Sequence, residues 1–294
     1  MREMPCLFCG VHEERLRFHD GLYRVIECAR CGHVYVNPRL PPDRLHEMYQ
    51  DEYWTSDRAR EFGYAQYLSE AENYLRTYRL RSQLVDKYKR PPGRVLDVGC
   101  AAGFFLKVMQ GKGWTTTGIE IAAPMLEYAR KELGLEDMHR GDLLSVDLPD
   151  EPYDVITLWD VIEHLEEPGK HLARVHELLA PDGILVLETQ DVSSRFARLL
   201  GQRWQHYKHE EHLYHFHPES IARLLAASGF EVVENTPRRG GKFVSMAFLV
   251  ERVGRIHPVL SVLAYPLRLL SGFSPYLNFR DEMVVVARKT AGAA

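Results

Sequence analysis

Arg94-Val95-Leu96-Asp97-Val98-Gly99-Cys100-Ala101-Ala102-Gly103-Phe104-Phe105-Leu106 is an apolar run, a turn of small residues and a second apolar run. As strand, turn and helix, it is the arrangement that brings backbone close to a ligand at a helix N-terminus. A dinucleotide site asks for G-x-G-x-x-G. Here Ala101 stands for the second glycine and Phe104 for the third, which leaves a pyrophosphate less room and weakens a nicotinamide reading. Cys100, small and with no histidine at local spacing, reads as a packing residue of the turn rather than a nucleophile.

Downstream the pattern alternates. Trp114 to Glu120 reads as a strand ending in an acid, Ala123 to Gly134 as a helix, and His139-Arg140-Gly141-Asp142 as the end of a third strand. Tyr153 to Asp160 is a fourth apolar strand, Pro168 to Ala180 a helix, and Gly183 to Glu188 a fifth strand. Strands separated by helices of this length imply a parallel, doubly wound α/β sheet. Ligands bind beyond the carboxyl ends of such strands, where Gly99, Glu120, Asp142 and Asp160 all fall.

These residues resemble the class I S-adenosylmethionine-dependent methyltransferases over roughly residues 93 to 235. The turn at Asp97, Gly99 and Gly103, with Ala101 inside it, is similar to that family's first motif. The resemblance makes Glu120 the acid that holds the ribose hydroxyls and Asp142 the acid that receives the adenine amino group. Trp159-Asp160-Val161-Ile162-Glu163-His164-Leu165 resembles the segment beside the methionine moiety, which puts Asp160 in the cofactor site. Pro181-Asp182-Gly183-Ile184-Leu185 resembles the turn into strand five. The implied fold is Rossmann-like with a seven-stranded sheet. Independently, one carboxylate is well matched to a ribose cis-diol, and a cofactor without phosphate needs no P-loop lysine.

Upstream, Cys6, Cys9, Cys28 and Cys31 form two C-x2-C knuckles, Cys9-Gly10 and Cys31-Gly32 placing a glycine behind each second thiolate. Each glycine permits the positive φ of a tight turn. Four thiolates with no spare ligand position describe a closed, structural zinc site, and a cytosolic chain would not keep the alternative pair of disulfides. Tyr23 to Glu27 and His33 to Val36 read as short strands. A zinc ribbon is therefore expected over residues 1–42 and a helical connector or substrate cap over 43–92. The methyltransferase domain follows over 93–294. In the connector Tyr64, Tyr67, Leu68, Ala71, Leu75, Tyr78 and Val85 follow a 3.6-residue period, read as packing rather than as a substrate roof.

Five of the fourteen histidines lie close together, at His206, His209, His212, His215 and His217. Residue types leave three roles open: a second metal site, a solvated cluster, and a general base. Glu211-His212-Leu213-Tyr214-His215-Phe216 resembles the E-H-x-x-x-F segment of small-molecule methyltransferases, including zinc-bearing sugar C-methyltransferases. That resemblance implies His212 as base, with Glu211 shaping its environment. Residues 238–280 form an apolar insert, with runs at Phe243 to Val250 and Val259 to Leu270. Lid, dimer contact and membrane contact all fit it. Cleft cover is preferred, since the flanking strands border the cleft in the resembling fold.

The chain has 294 residues and a net charge of −4, which favours about two domains and gives no long-range attraction to phosphate backbones. Nucleic acid is not the expected partner. A ribbon ahead of a methyltransferase core also resembles certain ribosomal RNA methyltransferases, for which a basic ribbon face would be the mark. No stretch reaches ~18 uncharged apolar residues and the N-terminus lacks a signal pattern, so a cytoplasmic location is expected. The expected reaction is methyl transfer to a small polar acceptor, most simply a hydroxyl oxygen of a sugar or natural product.

Overall fold

The computed structural model describes residues 1–41, 67–250, 262, 265–270 and 272–290. Tyr64 and the first part of the expected connector, with residues 251–261 of the insert, lie outside these.

A seven-stranded sheet forms the centre. Its strands are β4 (Arg94–Val98), β5 (Thr115–Glu120), β6 (Met138–Arg140), β7 (Tyr153–Trp159), β8 (Leu179–Gln190), β10 (Phe230–Thr236) and β13 (Glu282–Lys289). They lie in the order β10-β13-β8-β7-β4-β5-β6, and β13 runs antiparallel to both neighbours. Parallel pairing of β4 with β5 and β7 makes the end of β4 a topological switch point. The doubly wound, seven-stranded expectation holds. The central strands are apolar on both faces because helices cover both: Val95, Leu96, Val155, Ile156, Ile184 and Leu185 are fully buried.

Two helices matter most for the site. α1 (Ala71–Tyr88) lies against α2 (Phe104–Gly111). Its stripe packs as expected, with Ala71, Leu75 and Tyr78 beside the cluster around Phe104 and Val85 fully buried. Between them, Arg81 is just as buried, for a reason that lies in the site below.

The N-terminal module is a sheet of β1 (Glu14–Asp20), β2 (Tyr23–Cys28) and β3 (Val34–Val36). Its fourth strand, β9 (Tyr214–His215), comes from the middle of the histidine cluster and pairs antiparallel with β3. The N-terminal module is thus joined to the body of the chain through one shared sheet. β1 is a strand that apolar patterning does not announce, since Phe18 is its one buried residue.

In the insert, Met246 and Val250 are buried four residues apart, and residues 246–250 are helical. Among the described residues the strand pairing there joins β11 (Lys242–Phe243) to β12 (Tyr276–Leu277). β11 rests on α1, and the start of that helix on Glu70, the residue that caps α1. Phe243 N donates to Thr77 Oγ1 at 3.0 Å, and Ser245 N to Glu70 Oε2 at 3.1 Å.

Candidate functional site

The turn after β4 is held tightly. Gly99 has φ 69°, and a Cβ there would stand 2.6 Å from Val161 Cγ2, so only hydrogen fits. Ala101 is left-handed at φ 46°, and Gly103, at φ 79°, opens α2. Asp97 is buried beneath the turn, accepts from Thr157 Oγ1 at 2.6 Å, and is pushed by burial up to about 8. Cys100 is buried and its thiol raised well above the usual range by desolvation, which keeps it inert.

Glu120 ends β5 beside this turn. Its Oε2 accepts from Ala101 N at 2.9 Å and its Oε1 from Ile121 N at 2.8 Å and Ala122 N at 2.9 Å. Burial raises its pKa, and the three backbone donors work against that. The carboxylate is thereby fixed across the mouth of the turn, with one lone-pair site, on Oε2, left for a ligand hydroxyl. Asp142 follows β6. Leu144 N donates to its Oδ1 at 2.8 Å, and His171 Nε2 lies 2.9 Å from its Oδ2. His171, on α4 (Pro168–Leu178), loses some affinity for protons to burial, but Asp142 outweighs this and raises its pKa.

Asp160 leaves β7 in a left-handed conformation, φ 55°. Lys242 Nζ lies 2.9 Å from Asp160 Oδ2 and 2.9 Å from Glu282 Oε1. Desolvation alone would raise Asp160, yet Lys242 and Arg81 outweigh it and hold the carboxyl at about 2. Arg81 pairs with Glu188 in full burial, and its guanidinium also lies over the rings of Tyr78 and Trp159. The end of β7 and β8 is therefore a zwitterionic wall of Arg81, Lys242, Asp160, Glu188 and Glu282. Sequence reasoning missed Arg81, Lys242, Glu188, Glu282 and His171 as site residues. One signal was present: an arginine inside the apolar stripe of a helix, and an acid closing an apolar strand, each requiring a buried partner.

The histidine cluster divides. His212 is buried, and its ring meets His164 edge-on at 4.7 Å between centroids. Ligand atoms of Glu163, His164 and His212 all lie within 4.8 Å of one another, close enough for a small cation. Burial holds His212 well below its usual pKa, aided by the nearby His164, Lys208, His206 and His215, while burial and Asp160 push Glu163 up to about 8. Among the described residues His212 Nδ1 has no hydrogen-bond partner. Glu211 is buried with Lys208 Nζ at 3.3 Å. His206 sits on the same side, 3.5 Å from Glu282 Oε1. His209 instead points to the ribbon, 3.1 Å from Asp20 Oδ2, and His215 is enclosed in the β3–β9 seam. His217 caps α6 (Pro218–Ala227), its N–H donating to Ser220 Oγ at 2.9 Å.

The four cysteines come together at the other end of the ribbon. Their sulfurs lie within 4.8 Å of one another, with Cys6 and Cys31 at 3.5 Å, and all are free of disulfides. Gly10 N donates to Cys6 O and Gly32 N to Cys28 O, both at 2.9 Å, closing two matching turns with Gly10 at φ 64° and Gly32 at φ 75°. The donor set and its enclosure fit a tetrahedral thiophilic cation.

Residues 67–235 match a protein family described as a methyltransferase domain. The chain is 28% identical over 138 residues to a malonyl-[acyl-carrier protein] O-methyltransferase of Serratia marcescens, covering 47% of this chain and 53% of that protein. It is 35% identical over 105 residues to a ubiquinone biosynthesis O-methyltransferase of Actinobacillus pleuropneumoniae serotype 5b (strain L20), covering 33% of this chain and 45% of that protein. The chain thus spans about half the length of these curated relatives. Among solved structures, a SAM-dependent methyltransferase from Thermotoga maritima superposes with a TM-score of 0.52 at 19% identity, covering 80% of this chain and 98% of that one. At that identity the likeness is one of fold.

Proposed function

The chain belongs to the class I S-adenosylmethionine-dependent methyltransferases, and from that premise we propose that it methylates a hydroxyl oxygen of a small polar acceptor, a sugar or natural product, with His212 as general base. The observation that carries the reading is His212 itself: a buried imidazole, kept neutral by desolvation, beside the β7–α4 loop that borders the cofactor turn.

When bound, S-adenosylmethionine supplies a methyl group already activated on a sulfonium. Glu120 would hold the ribose diol and Asp142 the adenine amino group. The backbone of Gly99 to Gly103, which closely approaches Val161, would line the nucleoside. The zwitterionic methionine end matches the mixed wall beside it, Asp160 facing an ammonium and Lys242 or Arg81 a carboxylate. Aligning acceptor and sulfonium in this way can contribute ~7–11 kcal/mol. His212 would take the hydroxyl proton as the acceptor oxygen develops charge, and the Lys208 carbonyl, accepting from Glu211 N at 3.0 Å and His212 N at 2.7 Å, holds the backbone on its N-terminal side.

What favours a small acceptor over RNA is the fate of the ribbon arginines. Arg17 pairs with Glu27, Arg24 with Glu3 and Glu14, and Arg30 with Glu13, while Arg39 is buried and Arg15 alone of the five stands exposed with no acidic partner among the described residues. A ribbon so neutralised offers little to a phosphate backbone. Among the described residues no helix is long and apolar enough to cross a membrane. Four reduced thiols gathered for one cation support a structural zinc and a cytoplasmic setting.

A panel of hydroxylated acceptors incubated with S-adenosylmethionine, followed by mass spectrometry, should show one product heavier by a methyl group. Transfer only to nitrogen, carbon or RNA would contradict the proposal. Zinc or magnesium titrated into protein whose ribbon is already loaded tests the Glu163, His164 and His212 convergence as a cation site; uptake of a second equivalent would replace the base role with a metal one.

Cofactor affinity should depend on Glu120. In Glu120→Ala the diol loses a charged partner worth ~1.5–3 kcal/mol. Calorimetry should show S-adenosylmethionine bound at least about tenfold more weakly. Unchanged affinity would remove Glu120 from the site.

A further inference from the structure

Residues 206 to 215 divide between two walls. Tyr207, His209, Glu210, Tyr214 and His215 meet the ribbon: the Tyr207 ring stands edge-on to Phe18, Tyr23 OH donates to Glu210 Oε1 at 3.3 Å, and β3 pairs with β9. His206 and His212 face the other way, toward Glu282 and His164. The pivot is Leu213, immediately after His212. On the core side its N–H donates to Glu163 O at 2.9 Å. On the ribbon side its carbonyl accepts from Val36 N at 3.1 Å and from Arg39 Nη2 at 3.0 Å.

Arg39 is 2% exposed. Its Nε donates to Val36 O at 3.1 Å, and its guanidinium lies 4.2 Å from the centre of the Tyr214 ring. Among the described residues no carboxylate pairs with it. Among the described residues its charge meets two carbonyls and an aromatic face, and its Nη1 has no hydrogen-bond partner. A leucine would fill that space at a lower desolvation cost, so the guanidinium's particular contribution is directed donors that tie β3 to the chain beside His212. Tyr214 is tied to the core as well, its hydroxyl donating to Glu166 O at 3.0 Å and its carbonyl accepting from Gln190 Nε2 at 2.9 Å.

We propose that Arg39 is a positioning residue for the methyl-transfer site: it fastens Leu213 so that His212 faces the cofactor cleft, which makes the ribbon a working wall of the active site. The inference rests on the reading of His212 as base. It gives the N-terminal module a role in the reaction without any contact with substrate. With Arg39 removed, the segment keeps its core-side bonds at Leu213 and Tyr214 and the Val36 N bond to the Leu213 carbonyl, but loses the second donor that fixes the direction of that carbonyl.

The test uses the full chain as Arg39→Ala and Arg39→Lys, with amide hydrogen exchange, S-adenosylmethionine calorimetry and turnover of the acceptor found by the panel. In Arg39→Ala the amides of Val36, Leu213 and Tyr214 should exchange about tenfold faster or more, while Val95 to Val98 stay protected. Cofactor affinity and its KM should stay within about twofold while kcat falls about tenfold or more. Arg39→Lys should recover part of both effects, since an ammonium can still reach one carbonyl. Unchanged exchange at Leu213 and Tyr214 would overturn the proposal. So would faster exchange throughout the sheet, or loss of cofactor affinity in step with kcat. Should Arg39→Ala not fold, Arg39→Lys carries the same comparison, with faster exchange confined to Val36, Leu213 and Tyr214 in support and any other pattern against. If His212→Ala keeps full turnover the base reading falls, and the exchange pattern still decides the role of Arg39.

Discussion

Replacing His212 by alanine should leave S-adenosylmethionine affinity within about twofold of the wild type while turnover falls ~10²–10⁴-fold. The separation follows from position. Glu120, Asp142 and the Gly99 turn lie on the sheet, whereas His212 comes from the segment clamped between Glu163 and the ribbon. The pH dependence has a definite sign. A base acts when neutral, and burial holds His212 well below its ordinary value of 6.5. The acid limb of kcat should therefore lie below that value, with full activity persisting through mildly acidic solution and falling as pH drops through the lowered pKa. An acid limb at or above the ordinary imidazole value would point to an exposed group instead. His209→Ala and His215→Ala supply the contrast, since their rings face the ribbon and the seam. Either of them abolishing turnover with cofactor binding intact would move the base role to a neighbour.

Removing the metal should have the larger structural effect. Metal analysis should return one zinc per chain, and Cys28→Ser should lose it. Cys28 is buried at the end of β2, so its sulfur would join the β-sheet directly to the cation. Burial raises the metal-free thiol of Cys31 to about 12, and its three neighbouring thiols do not relieve this. Binding must therefore displace protons, and zinc occupancy should fall as pH drops. The binding energy at stake is on the order of 10 kcal/mol, more than a three-stranded module of this size can replace. Because β9 belongs to the same sheet, the loss should spread to Tyr214 and His215 but stop short of the central sheet. A metal-free wild type with an intact ribbon would contradict the zinc assignment.

How much of this was legible in the sequence depended on the distance over which each feature is determined. The β4 turn and the cysteine knuckles are local: a few adjacent residues settle φ, spacing and donor type. The parallel sheet was legible because its strands are buried on both faces and read as unbroken apolar runs. The zwitterionic wall was not legible. Arg81 and Glu188 are 107 residues apart, and only the fold brings β8 beneath α1. The division of the histidine cluster was not legible for a similar reason. The three-residue steps of His209, His212 and His215 match no regular face, because no single element carries them. His215 is in a strand paired with Val34, while His212 lies just outside that strand and turns the other way. β1 was not legible because its pattern is mostly exposed, and the apolar run from Phe243 does not by itself announce the helical spacing of Met246 and Val250.

A crystal structure of the full chain with S-adenosylhomocysteine tests the central claim most directly. The account predicts the ribose hydroxyls on Glu120, the adenine amino group on Asp142, and the sulfur turned toward His212 with room between them for an acceptor hydroxyl. A nucleoside bound elsewhere, or a sulfur facing away from the segment that Arg39 and Glu163 hold, would contradict it.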